Sequence, residues 1–410
     1  MVANSNHRVP PVWLMGLSNL TLGLLVGLIF FVFPQLMAEH HIPEATIASI
    51  TAAAMFANFW SVFLGPLLDV RFSRRWYSTA LACASAVMVF TAMLSFDHLV
   101  ILEITLVAAA ATGMLSASAL GGWLSQVCEP HHTSTLSAWL NVAVFAGAGI
   151  VSAFGGPVVH ALPGVTGTAV ISLCIVVPCA LFLIIPAPGP DRRLAGESFR
   201  QFNREVLSLL RRREVVLALV LFLSPCGSFA LTSMLGGLGK DFGASREVIS
   251  FAGGAGAFLP GILGSLLFPF LAKRVPLRYL YLANGVLGGI FTLSLLVLPH
   301  APWTFVLALA GEYLFQAVSF STQCGISFEV IGPNNPLAAT NFAFLAAATN
   351  VPVTYMLVVD GRAYAAGGLA GTFTADAGIS IAMCLAFALL FRSLRNQSTG
   401  IELVGVPQEE

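Results

Sequence analysis

The segment GPLLDVRFSRRWY, Gly65 to Tyr77, sets Asp69, Arg71, Arg74 and Arg75 within seven positions of a 410-residue chain that is only 9% charged. No charge lies between Ile47 and Leu68, and none between Arg75 and Asp97. A short basic stretch between two long uncharged runs is what a loop at a membrane surface looks like. The composition agrees: 57% of residues are hydrophobic and the mean hydropathy is +0.87. A soluble domain carries about a quarter of its residues as charges, and this chain has too few to coat a water-facing surface. Lys plus Arg and Asp plus Glu balance at 19 each, so charge suggests no nucleic-acid partner.

Moving outward from that loop, the chain divides into apolar runs long enough for a helix to cross a hydrocarbon layer of ~30 Å. The spans read as 12–37, 45–68, 76–96, 99–126, 134–160, 165–187, 215–238, 247–271, 279–298, 303–328, 338–359 and 374–391. Runs such as ISLCIVVPCALFLII do not alternate as barrel strands would. The expected fold is an all-α membrane protein with twelve transmembrane helices. Sixteen of the nineteen Lys and Arg residues fall on one side of that topology; Lys240, Arg246 and Arg362 fall on the other. Positive charge marks the inner face, so both termini are expected to be cytoplasmic, in the cell inner (cytoplasmic) membrane. The first run, near 25 residues, is too long for a signal peptide.

The long loop 188–214 separates six spans from six. Phe199, Phe202, Val206, Leu209 and Leu210 share one helical face there, with arginines around them, as in an amphipathic helix on the inner membrane surface. The expected organisation is therefore a six-helix bundle over 1–187, a cytoplasmic linker over 188–214, a second bundle over 215–395 and a tail over 396–410. The halves repeat. At an offset of 203, Pro66, Leu68, Arg71 and Arg75 meet Pro269, Leu271, Arg274 and Arg278; at an offset of 200, Asn141 meets Asn341. Parallel repeats of this kind underlie many secondary transporters.

Gly65, Asp69, Arg74 and Arg75 fit the loop signature G-x-x-x-D-x-x-G-R-[RK] of the major facilitator superfamily, which this chain resembles; Ser73 departs from the usual glycine. The resemblance implies two pseudo-symmetric six-helix bundles that rock about a shared site. It also implies a role for the loop Asp and Arg in steadying one conformation through neighbouring helix ends. Asp69, Arg71, Arg74, Arg75, Arg274 and Arg278 are the candidate gating residues. PLLD with RRW, and ATNFAFLAAATNVPVTYM in the eleventh span, are similar to the muropeptide permease and acetyl-coenzyme A transporter group; siderophore importers of the superfamily are similar too. Candidate solutes are thus a muropeptide or other sugar-peptide, a siderophore or a coenzyme A ester. A drug or metabolite efflux antiporter is the alternative within the fold.

Charge inside a span is costly and hence informative. Glu312 lies about ten residues into the tenth span, and Gln316, Ser319 and Gln323 continue its stripe along one face. That stripe must face the central cavity or another helix, and the carboxylate is a candidate proton carrier or ligand. Asn19, Asn58, Asn141, Ser224, Ser228, Asn350 and Thr354 are further candidates for substrate contact, each also able to serve as a link between helices. No Lys or Arg lies deep in a span, which suits a bulky, partly apolar or sugar-like solute better than a small multiply charged anion. The seven scattered cysteines contain no CxxC. His40–His41 and His131–His132 read as loop residues, and the glycine runs lack the Lys-Ser/Thr of a phosphate loop. No metal and no cofactor are expected. An intramembrane transferase would need a clustered pair of acids or a nucleophile with its base, and Asp360 reads as a lone acid at a helix end. That class and a non-transporting membrane sensor are the alternatives outside transport. The expected protein is a monomeric, proton-coupled symporter or permease working by alternating access, with the lipid bilayer, a small-molecule solute and protons as its partners.

Overall fold

The computed structural model describes residues 10–162, 164–186, 200, 204, 213–226, 230–253, 255–332 and 335–404. The apolar face of the expected amphipathic helix (Phe199, Phe202, Val206, Leu209 and Leu210) and candidate Ser228 lie outside the described residues, as does the side chain of Asn58. Among the described residues the regular structure is helical throughout. We number the spans α1 Val12–Glu39, α2 Glu44–Asp69, α3 Arg74–Met93, α4 Leu99–Val127, α5 Pro130–Ala161 and α6 Gly164–Leu183. In the second half, α7 comprises Arg213–Phe222 and Ala230–Leu235, and α8 comprises Ala255–Ala272. They are followed by α9 Leu277–Val297 and α10 Pro302–Ile331. A last continuous run, Ala338–Val404, is broken at Gly368 (φ 60°, ψ −149°) into α11, 338–367, and α12, 369–404. Only glycine enters that region of backbone space freely, so the chain reverses there without a loop.

Local chemistry sets the ends. Pro11, Pro43 and Pro276 immediately precede α1, α2 and α9, and Pro302 opens α10, where a missing N–H costs nothing. The Ser73 hydroxyl accepts from the Trp76 N–H at 3.3 Å and caps α3. Gly332, at φ 69°, ends α10. Within α1, Leu28–Val32 widens into a π turn directly before Pro34. The wider turn accommodates a ring that an ordinary α turn would exclude.

Apolar surface faces outward, as lipid as solvent requires. Phe154, Leu183, Val297 and Leu389 are all exposed. The interior of the first half is a cluster from α1 to α6 that includes Leu28, Phe33, Leu102 and Ile175; the second half has its own, around Phe222, Phe268, Tyr281 and Phe305. Between the halves, α5 packs along α8 and α10, and α11 packs against α2 and α4. The meeting of α2 with α11 concentrates in Ser61–Asp69, the last two turns or so of α2, and is sparse over Glu44–Trp60. The bundles are therefore tightly joined at the end bearing the 68–76 loop, here termed the basic end, and less so at the other.

Two sequence expectations change. The eleventh helix does not stop near residue 359 but continues through DGRAYAAG to the break at Gly368. Asp360 is accordingly inside the bundle, fully buried, rather than alone at a helix end. The glycines and charges of that segment imitate a loop, but all except Gly368 take up helical backbone.

Candidate functional site

Three linked places carry the polar chemistry. The first is the basic end. Asp69 is 1% exposed. Its Oδ1 accepts from Arg74 Nε at 2.7 Å and lies 2.6 Å from Arg74 Nη2. Its Oδ2 accepts from the Thr340 N–H at 2.9 Å and the Thr340 hydroxyl at 2.7 Å, and Oδ1 from the Ala339 N–H at 3.4 Å. These are the orphan donors at the first turn of α11, where the helix dipole favours an anion. Arg74 Nη2 in turn donates to the Pro336 carbonyl at 2.9 Å, and Gln126 Nε2 from α4 donates to the Asn335 carbonyl at 3.1 Å. One carboxylate and one guanidinium from the first half thus hold the start of α11 in the second. Gly122 of α4 sits so close to the Ala339 backbone that a Cβ there would overlap it. Of the other gating candidates, Arg71 is exposed with φ 55°, Arg75 and Arg278 are half-buried and Arg274 is exposed.

The second place is a cavity of about 280 Å³ between the bundles. The first half contributes Asn19, Phe30 and Phe31 from α1, Ser118 from α4, and Asn141 and Phe145 from α5. Phe258, Gln323, Phe342, Thr349 and Asn350 come from α8, α10 and α11. Asn19, Asn141 and Asn350 each donate their amide NH2 to a backbone carbonyl, of Leu140, Ser137 and Ala346 respectively, and Gln323 donates to Tyr281 Oη at 3.0 Å. Each of the four amides keeps its oxygen as an acceptor and a second N–H as a donor in an otherwise aromatic and aliphatic lining. The structure therefore brings Asn19, Asn141, Gln323 and Asn350 together. Thr354 is exposed and outside this lining, and Ser224 is buried against the Leu221 carbonyl.

The third is a pocket of about 40 Å³ inside the second bundle, among α7, α9, α10 and α12. Glu312, Gln316 and Ser319 line it with Asn284, Thr292, Asp376 and Ser380. The stripe on α10 is thus divided: Gln323 faces the central cavity and the other three face the neighbouring helices of their own bundle. The Thr292 hydroxyl donates to Glu312 Oε1 at 2.5 Å. Asn284 Nδ2 donates to Ser319 Oγ at 2.7 Å, Ser319 Oγ lies 3.2 Å from Cys226 Sγ, and Tyr281 Oη donates to the Cys226 carbonyl at 2.5 Å. Because Tyr281 also accepts from Gln323, a polar chain runs from this pocket to the central cavity.

Sequence reasoning missed the aromatic lining, because phenylalanine among apolar neighbours gives no signal, and it missed Asp376. It read His131 and His132 as solvated; both are exposed, beside Glu129, with ligand atoms within 4.8 Å of one another. Free thiols are the state of all seven cysteines.

Comparison with known proteins bears on the whole architecture. Three solved structures resemble it over nearly their full length. FucP, a major facilitator superfamily transporter in the outward conformation, gives a TM-score of 0.71 at 14% identity, covering 93% of this chain and 98% of that one. The proton:xylose symporter XylE bound to 6-bromo-6-deoxy-D-glucose gives 0.68 at 14%, covering 93% and 94%. A bacterial homologue of the iron transporter ferroportin, in the outward-facing state, gives 0.64 at 14%, covering 94% and 99%. At such identity the likeness concerns the fold. No curated protein matches by sequence. Residues 15–236, more than half of the chain, match the family profile of the Major Facilitator Superfamily. With the Asp69–Arg74 loop, the paired bundles and the cavity between them, that match makes this chain a transporter of the major facilitator superfamily rather than an enzyme.

Proposed function

We propose that the protein is a secondary active transporter that moves a hydroxyl- or amide-rich organic solute across the cytoplasmic membrane by alternating access, as a monomer with both termini inside. The observation that carries this reading is the central cavity lying between bundles that are joined more tightly at the basic end than at the other. With the basic end taken as cytoplasmic, the conformation is the one closed to the cytoplasm. The lining chooses the solute class. Four amide oxygens ask for N–H or O–H donors, and six phenylalanines, Phe30, Phe31, Phe145, Phe258, Phe320 and Phe342, ask for apolar faces. A sugar or sugar-peptide offers both. At about 280 Å³ the cavity stands at the lower edge of the ~300–1,000 Å³ usual for small-molecule sites. This favours a sugar or a small sugar-peptide fragment; a complete muropeptide, a coenzyme A ester or a siderophore would each need a wider space.

Coupling to a proton gradient rests on Glu312. It sits ten residues into the 30-residue α10, about 15 Å along the helix axis and hence near mid-membrane. The chain through Ser319, Cys226, Tyr281 and Gln323 connects its pocket to the solute cavity, so that occupancy of one can be felt at the other.

The test is uptake into proteoliposomes. A panel of radiolabelled sugar-peptides, siderophores, coenzyme A esters and simple sugars is offered with and without an imposed pH gradient. Gradient-driven accumulation of a sugar-peptide is expected. Asn141→Ala and Gln323→Ala should each raise KM about tenfold, the loss of one well-placed hydrogen bond. Glu312→Gln should abolish accumulation while leaving exchange down a gradient. Accumulation by Glu312→Gln at the wild-type level would remove the carboxylate from coupling. Tight transport of a solute without donors would remove the solute class.

A further inference from the structure

Two carboxylates meet inside the second bundle, and the sequence alone suggested only one. Glu312 and Asp376 line the same small pocket, from α10 and α12. None of the residues lining the pocket is basic, so no protein cation there balances the acids. The other ionisable groups packed against this region are Cys226, Cys384 and Tyr281.

An acidic cluster alone can be satisfied by protons. One independent observation points to a ligand. Gln316 is 3% exposed, lines the pocket, donates to Thr232 Oγ1 at 3.2 Å, and leaves its Oε1 with no hydrogen-bond partner. A buried polar atom without a partner costs about 1–3 kcal/mol, so such atoms are normally satisfied. Apart from the Asn284 NH2, which is given to the Phe315 carbonyl and Ser319 Oγ, the polar side-chain groups on the pocket include carboxylates from Glu312 and Asp376, hydroxyls from Thr292, Ser319 and Ser380, and the Gln316 amide oxygen. This is a hard donor set, suited to a hard cation and not to a soft or imidazole-seeking metal.

We propose that the pocket bounded by Glu312, Asp376, Thr292 and Gln316 is a monovalent cation site that takes Na⁺. Size argues for one small ion. About 40 Å³ accommodates a few water-sized spheres, enough for a dehydrated or singly hydrated ion. Mg²⁺ keeps several waters, and Ca²⁺ takes about 6–8 oxygens, often from bidentate carboxylates. Here Thr292 already occupies one oxygen of Glu312. Na⁺ would satisfy the Gln316 oxygen, balance one of the carboxylates, and tie α10 to α12. The site lies apart from the solute cavity, with Ser319, Cys226, Tyr281 and Gln323 between them. The proposal builds on the reading of Glu312 as the ion-carrying carboxylate, with Na⁺ able to stand where the proton does.

The test needs neither solute nor transport. Purified full-length protein in detergent is titrated with NaCl, KCl, CaCl2 or choline chloride at constant ionic strength, with binding of ²²Na⁺ and thermal stability as the readouts. Saturable ²²Na⁺ binding at about one ion per chain is expected, with a rise in Tm that choline does not produce. Thr292→Val and Asp376→Asn should weaken binding about tenfold or more. The wild-type ion series stands even if a variant fails to fold. Equal behaviour of Na⁺ and choline would overturn the proposal, as would stabilisation by Ca²⁺ alone. So would Na⁺ binding left unchanged by both folded substitutions. Loss of the proposal leaves pH-driven, Glu312-dependent uptake intact in Na⁺-free buffer. Failure of that uptake, with Na⁺ still bound, would instead remove the proton-coupled reading.

Discussion

At Asp69 a single side chain satisfies a guanidinium and the first turn of another bundle's helix. A surface ion pair is worth little, but this one is buried, and removing one partner strands the other charge. Asp69→Ala should therefore destabilise the locked state by about 3 kcal/mol, a ~150-fold shift in favour of conformations open at the basic end. Arg74→Ala should act in the same direction by leaving the carboxylate unpaired. A cysteine placed at Ser125, on α4 one turn from the gate, should be alkylated faster in either variant than in the unsubstituted background. Unchanged alkylation rates would mean that the pair anchors the loop without governing its opening. This residue pair was legible in the sequence because charge is so scarce there: four charges in a long apolar stretch had few alternative explanations. Its partner was not legible. Thr340 and the free N–H groups of α11 lie some 270 positions away, and no pattern in the chain marks a helix end as an acceptor's target.

The same contrast holds for whole helices. Long apolar runs delimit themselves, and most spans begin and end within a few residues of where hydropathy places them. The failure at α11 is physical. Helix propensity in a membrane is overridden by the need to satisfy backbone groups, so a stretch containing Asp360, Gly361, Arg362 and Gly367 remains helical. Asp360 and Asp376 were obscured for that reason: each falls near a boundary in the sequence and inside a bundle in the structure. Contacts between helices are equally invisible to periodicity. Gly122 looks like one of many glycines, yet it is where α4 and the α11 backbone meet. A larger residue cannot be accommodated by rotating a flexible side chain, because the obstacle is main chain. Gly122→Val should leave the protein folded in detergent but prevent closure at the basic end. Gradient-driven uptake is expected to fall more than tenfold, with the Ser125 cysteine permanently reactive. Normal uptake by that variant would show that α4 and α11 need not approach so closely in any step of the cycle.

Across the whole molecule the two halves match in fold but not in how they close. The offset of 203 that aligns Arg71 with Arg274 and Arg75 with Arg278 places Ala272 opposite Asp69 and Leu277 opposite Arg74. Where the first half presents a carboxylate and a guanidinium to α11, the second presents apolar groups. Leu277 and Phe268 share a buried cluster with Ala138 of α5. The basic end is thus held by one ionic and one apolar contact related by the pseudo-symmetry. The two should respond differently. Arg274 is exposed and Arg278 half-buried, so their charges are hydrated and screened. Replacing both with alanine is expected to change the Ser125 cysteine's reactivity less than twofold, although it removes two charges to one for Arg74→Ala. Their effect should be on orientation in the membrane, where basic loops count. If the double variant opened the basic end as far as Arg74→Ala does, the second-half loop would be a gate in its own right. The lock would then be symmetric in chemistry as well as in fold.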